Sequence, residues 1–208
     1  IVAHGITTRI RPRSLRRRPG DTGESKMDLN RIVERAKAIL LTPKTEWPVV
    51  ATEPATVGDL YKNYLLLLAA VPAVFTFIDS TVFGYSVPFM GTMRLGVGSA
   101  LTTALFSYVF SLIGMYVFSL IVNALAPTFG GTKDSVSAMK VVAYSATASF
   151  IGGIATIVPG FGGLIAFAAA IYGIYLLYLG LPPTMKCPPE KAVAYTAVSI
   201  IAALIIGA

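Results

Sequence analysis

Five apolar stretches, none with a charged side chain or a histidine in its middle, decide what this chain can become. They run 64–83, 95–126, 138–158, 164–182 and 192–208. An α-helix needs about 20 apolar residues to cross about 30 Å of hydrocarbon, because every backbone N–H and C=O has to be satisfied inside the segment. The sequence therefore predicts an all-α polytopic membrane protein with five transmembrane helices. Composition points the same way, with 55% hydrophobic and only 13% charged residues, outside the range of soluble domains. The run from Leu95 contains no proline or polar break, so it reads as one helix, tilted or projecting beyond the headgroups. The last run is near the lower limit of about 17 residues.

Basic residues set the expected orientation. Arg31, Arg35, Lys37, Lys44 and Lys62 precede the first run, Lys133 and Lys140 lie near the boundary of the second and third, and Lys186 and Lys191 lie between the fourth and fifth. The opposite connections carry only Arg94. Short loops rich in Lys and Arg stay in the cytoplasm, which puts the N-terminus inside and the C-terminus outside.

Ahead of the 64–208 membrane domain the sequence divides in two. Residues 1–26 carry Arg9, Arg11, Arg13, Arg16, Arg17, Arg18 and Lys26 against Asp21 and Glu24, and account for most of the net charge of +7. This tail has no apolar periodicity and no aromatic residue to stack a base, so it offers no specific nucleic-acid interaction. It reads as a disordered upstream extension or a non-native remnant, with a basic arm on anionic lipid as the alternative. Arg16-Arg17-Arg18 runs into Pro19-Gly20 rather than the apolar segment of a secretion signal. Residues 27–63 are the cytoplasmic lead. Leu29, Ile32, Val33, Ala36 and Leu40 recur at helical spacing with Asp28 as N-cap, predicting an interfacial amphipathic helix that Pro43 stops. Trp47 is the only tryptophan and reads as an interfacial anchor.

The residues that carry chemistry are few. His4 is the only histidine, Cys187 the only cysteine, and no acidic residue lies mid-span. A protease dyad, a phosphate-binding loop, a metal-ligand cluster and a dinucleotide fingerprint are all missing from the sequence, so no enzyme activity and no cofactor are expected. Cys187 reads as an incidental loop residue, with palmitoylation as the alternative. Asp79 reads as a cap at the outer end of the first run. The second run places Ser99, Thr103, Ser107 and Ser111 at every fourth position, with Thr102 beside them and Asn123 further on. Such a stripe packs helices closely, or lines a narrow polar path. Gly152, Gly153 and Thr156, and Ala166, Ala169, Ala170 and Gly173, predict close packing of the third and fourth helices across a short turn. Tyr172, Tyr175 and Tyr178 read as an interfacial belt, with a lipid headgroup or Asn123 as alternative partners.

Several short segments together resemble one family. Trp47-Pro48 and Glu53-Pro54 precede the Leu65-to-Pro72 run; Tyr144-Ser145-Ala146-Thr147 lies in the third; Pro159-Gly160-Phe161-Gly162-Gly163 forms the turn; and Tyr172 to Pro182, including Tyr175, Tyr178 and Gly180, closes the fourth. In this order, from about Met27 to the end, they resemble bacterial members of the Yip (Ypt-interacting protein) family of multi-pass membrane proteins. The resemblance implies five spans, a cytoplasmic N-terminus and, for the bacterial branch, a place in the inner membrane. Eukaryotic members are associated with small prenylated GTPases and vesicle formation, and their cytoplasmic part typically has an acidic Asp-Leu-Tyr-Gly-Pro-like segment. Here Asp59-Leu60-Tyr61 is followed by Lys62-Asn63, so GTPase binding does not carry over. The expected function is a non-enzymatic membrane organiser or adaptor that binds membrane lipids, other membrane proteins or a second copy of itself. The alternative is a small channel or transporter for a polar solute or ion.

Overall fold

The computed structural model describes residues 29–87, 91–158 and 161–207. The basic tail with His4, the proposed Asp28 cap, and Pro159 and Gly160 of the turn lie outside them. Among the described residues, five helices long and apolar enough to cross a membrane run Val57–Phe83, Val97–Phe129, Ser135–Ala155, Gly162–Met185 and Pro189–Ile206. Two three-residue strands, β1 (Tyr85–Val87) and β2 (Gly91–Met93), pair antiparallel between the first two spans.

Four of the five spans begin earlier than their apolar runs do, and in the first and third a polar cap fixes the start. Thr56 and Asp59 form a reciprocal capping box that opens the first span at Val57. Asp134 accepts from the backbone N–H groups of Val136 and Ser137, so the third begins at Ser135. The Ser137 hydroxyl bond holds the Asp134 carboxyl below the usual carboxylate range. Pro189 opens the fifth span, where its missing N–H costs nothing. The fourth span also ends later than Pro182 predicts: the helix runs through Pro182 and Pro183 to Met185 and closes on Lys186 in the left-handed conformation, φ 55°. The Met185 carbonyl accepts the Thr132 N–H at 2.7 Å, tying the connection after the second span to the one after the fourth. The second span is one unbroken helix, as its sequence predicts, from Val97 to Leu125 with a 3-10 turn to Phe129.

The third span is the hub. Its most apolar stretch is 61% buried against 11–28% in the other four, and it has the lowest mean hydropathy, 1.3. It faces protein rather than lipid and can therefore be less apolar. Contact with the fourth span is close because Gly152 lies on Ala169: a Cβ on Gly152 would come within 2.3 Å of the Ala169 Cβ. Gly153 turns instead toward the first span, where its Cβ would meet that of Pro72 at 2.8 Å. The two glycines serve two different interfaces, so only part of the predicted small-residue set joins the third and fourth helices.

Two further helices lie on this bundle, α1 (Leu29–Leu41) and α2 (Pro43–Thr52). The inward face of α1 is Ile32, Ala36 and Ile39, rotated from the predicted stripe, so that Leu29 and Val33 are exposed. Pro43 does stop α1, but it also occupies the first turn of α2, a helix that the sequence did not announce.

Gly152→Ala should lower the melting temperature of the purified protein by an amount corresponding to about 1–3 kcal/mol of overpacking. Gly163→Ala, where nothing lies within 4 Å of the added carbon, should leave it unchanged or slightly raised. Equal effects in a thermal-denaturation assay would contradict the close approach at Gly152.

Candidate functional site

The chemistry-bearing side chains gather where α1 and α2 meet the bundle. Trp47, in the middle of α2, is only 1% exposed and so is no interfacial anchor. Its indole lies over the fourth span at Gly180, where a Cβ would stand 2.7 Å from the indole and 2.6 Å from a Val141 methyl. An absent side chain thus forms the slot for the largest side chain of the segment. Tyr144 meets Trp47 edge-on at 6.4 Å and Tyr64 at 4.8 Å between ring centroids. The Tyr64 hydroxyl pairs with that of Thr147 at 2.8 Å.

Charge fixes the same segment. Lys140 belongs to the third span rather than to a loop, and it is 5% exposed. Its ammonium donates to the Val50 carbonyl at 2.9 Å and to that of Glu53, at the C-terminal end of α2, where the helix dipole favours a cation. Arg35 of α1 reaches both Glu46 and Glu53, and its guanidinium sits 5.9 Å from the centre of the Tyr144 ring. Partial burial works against charge on Arg35, but the bond to Glu53 and the nearby carboxylates outweigh it and raise its pKa.

Beside this network opens a cleft of about 410 Å³. Arg31, Ile32 and Arg35 form one wall, Glu53, Pro54 and Ala55 a second, and Asp59, Leu60, Asn63 and Tyr64 a third, with Tyr144 between them. The first-span wall includes a π-helical turn, Tyr61–Leu65. A wider turn of this kind rotates the side chains that follow, and such turns recur at functional sites.

The hydroxyl stripe lies elsewhere. Ser99, Thr103 and Ser107 are exposed on the outward face of the second span, while Ala100 and Ala104 face the bundle. Thr102 and Ser111 donate to carbonyls of their own helix, those of Gly98 and Tyr108. Ser99, Thr103 and Ser107 thus turn away from the other spans of this chain, whereas Ser111 is half-buried. Asn123 donates to Ser135 at 3.1 Å, not to a tyrosine. Tyr172 reaches the Leu40 carbonyl at 2.7 Å and so ties the end of α1 to the fourth span. Tyr175 is exposed and Tyr178 half-buried, in tilted ring contact. Gly162 and Gly163 form the first turn of the fourth span. Cys187 is 4% exposed, which in this conformation withholds it from acylation.

The Yip1 domain model matches residues 37–208, from the middle of α1 through the last span. The chain belongs to the Yip1 family. Among its relatives are the inner membrane protein YohC of Escherichia coli K12 and that of the O6:H1 strain CFT073, each 26% identical over 156 residues, covering 74% of this chain and 80% of the relative. No solved structure matches the chain. Of the Yip-like motif residues, Tyr144 and Gly180 gain a physical role: the first links Trp47, Tyr64 and Arg35, and the second seats Trp47.

Sequence reasoning missed α2, the burial of Trp47 and the inward role of Lys140. Its available signals were Pro43, placed to open a helix, and Asp134, placed to draw Lys140 inside one. Gly180→Ala and Lys140→Met should both loosen α2. The expected result is a red-shifted Trp47 emission with greater acrylamide quenching, and for Lys140→Met a loss of about 1.5–3 kcal/mol. An unchanged spectrum in both variants would refute this seating.

Proposed function

We propose that this Yip1-family integral membrane protein is a non-enzymatic organiser of an inner membrane, binding other membrane proteins, a second copy of itself or lipids. The observation that carries the reading is the outward face of the second span. This is the longest of the five spans, 33 residues, and the least buried at 11%, and it turns Ser99, Thr103 and Ser107 away from its own bundle. Hydroxyls facing hydrocarbon gain by pairing with another helix, and small side chains let it approach. The ionisable groups at the α1–α2 end support the same view, since they hold helices together. For the alternative, a channel or transporter, the same stripe would have to line a path between copies.

Orientation follows from charge. Lys44, Lys62, Lys133, Lys186 and Lys191 lie toward the α1–α2 end and Arg94 toward the other, which supports α1 and α2 in the cytoplasm and the C-terminus outside.

Thr103→Leu combined with Ser107→Leu should abolish cross-linking of the protein to itself or to co-purified membrane chains while leaving its melting temperature unchanged. Association that survives the double substitution would sink this interface. A polar-solute flux in liposomes that the same substitutions block would favour the transport reading. For orientation, Arg94→Cys should react with a membrane-impermeant thiol reagent on intact cells and Lys44→Cys only after lysis; the reverse pattern would invert the topology.

A further inference from the structure

The cleft between α1 and the first span opens where that span passes from polar to apolar residues. On the first span, exposed Lys62 is followed by buried Tyr64 and Leu65 and then by an uninterrupted apolar helix, which places the polar–apolar boundary at the cleft wall. The charges of the cleft are not all spent. Arg35 is satisfied by Glu46 and Glu53, whereas Arg31 is exposed and has no ion pair or hydrogen bond among the described residues. Asp59 commits its Oδ2 to Thr56, leaving Oδ1 open. Tyr144 lines the cleft at 8% exposure, with no hydrogen bond to its hydroxyl among the described residues. What remains available is therefore one cation, one anionic oxygen and one hydroxyl.

We propose that this cleft holds the headgroup of a zwitterionic phospholipid of the phosphatidylethanolamine class, a deepening of the lipid-binding side of the organiser reading, on which it rests. The phosphate pairs with Arg31 and the Tyr144 hydroxyl, and the ammonium with Asp59. Leu60 and Ile32 give the apolar surface beside the headgroup. A singly anionic headgroup satisfies Arg31 but leaves Asp59 facing a negative charge, so the site discriminates by the second charge as well as the first.

The test uses the full chain in nanodiscs of equal phosphatidylethanolamine and phosphatidylglycerol, released for native mass spectrometry. Phosphatidylethanolamine should be the retained lipid. Arg31→Gln should lower its retention about tenfold, Asp59→Asn should erase the preference over phosphatidylglycerol, and Tyr144→Phe should weaken retention of both. Glu34→Gln, an exposed position on α1 away from the cleft, should change nothing. Equal retention of the two lipids by the wild-type protein, or unchanged selectivity in Arg31→Gln and Asp59→Asn, would overturn the assignment. Displacement of the lipid by inorganic phosphate alone would likewise overturn it in favour of a free-phosphate site. Trp47 emission confirms that each variant keeps its fold. A preparation that still self-associates but selects no lipid sinks this inference alone, and one that selects lipid without associating sinks only the protein-binding part of the organiser reading.

Discussion

The resting of α2 on the fourth span is the contact on which the whole α1–α2 end depends. Bare backbone at Gly180 admits the Trp47 indole, and the buried ring then fixes how far α2 stands from the bundle. At that distance, and no greater, the Lys140 ammonium reaches the carbonyls of Val50 and Glu53. The two effects support each other. A buried ammonium is costly to desolvate, by several kcal/mol, and is tolerated only where acceptors meet it; the two carbonyls stand within its reach only when α2 is seated. Arg35 then draws α1 against α2 through Glu46 and Glu53, and the cleft is the space left between that pair and the first span.

The third span takes its character from this arrangement. Surrounded by the first, second and fourth spans and by α1 and α2, it meets little lipid. It therefore tolerates Lys140, Tyr144 and Thr147 at depths where an outer helix would carry leucine or phenylalanine. The second span shows the converse, with Leu101, Leu105, Phe106 and Phe110 exposed. The bundle interior is still mostly apolar, as in a water-soluble protein; what differs is that the outside is apolar too, because hydrocarbon is the solvent.

How much of this was legible depends on what a linear pattern can encode. The five spans were legible because each is a continuous run, and the bilayer imposes that length on any sequence. The long second helix was legible for the same reason. Helix starts were displaced by the caps at Thr56 and Asp134, short polar signals set before the apolar run begins. Trp47 was misplaced because an indole ahead of a span reads as an interface residue, and only the three-dimensional proximity of Gly180, more than a hundred residues later, reveals the slot. Lys140 was misread for a similar reason: a cation near a boundary looks solvated until its carbonyl partners, about ninety residues earlier, are brought to it. The hydroxyl stripe had the right periodicity, but periodicity alone cannot say which way a helix face turns. The cleft was invisible in sequence because its walls come from four separate segments.

The lone thiol gives the fold a built-in reporter. Cys187 lies beneath the connection that Thr132 and Met185 hold together, with its Cβ close to Gly131. A reagent can reach it only when that connection opens. Its rate of modification in the unaltered protein therefore measures the free energy of local opening at the α1–α2 end, in an intact membrane and without any introduced label.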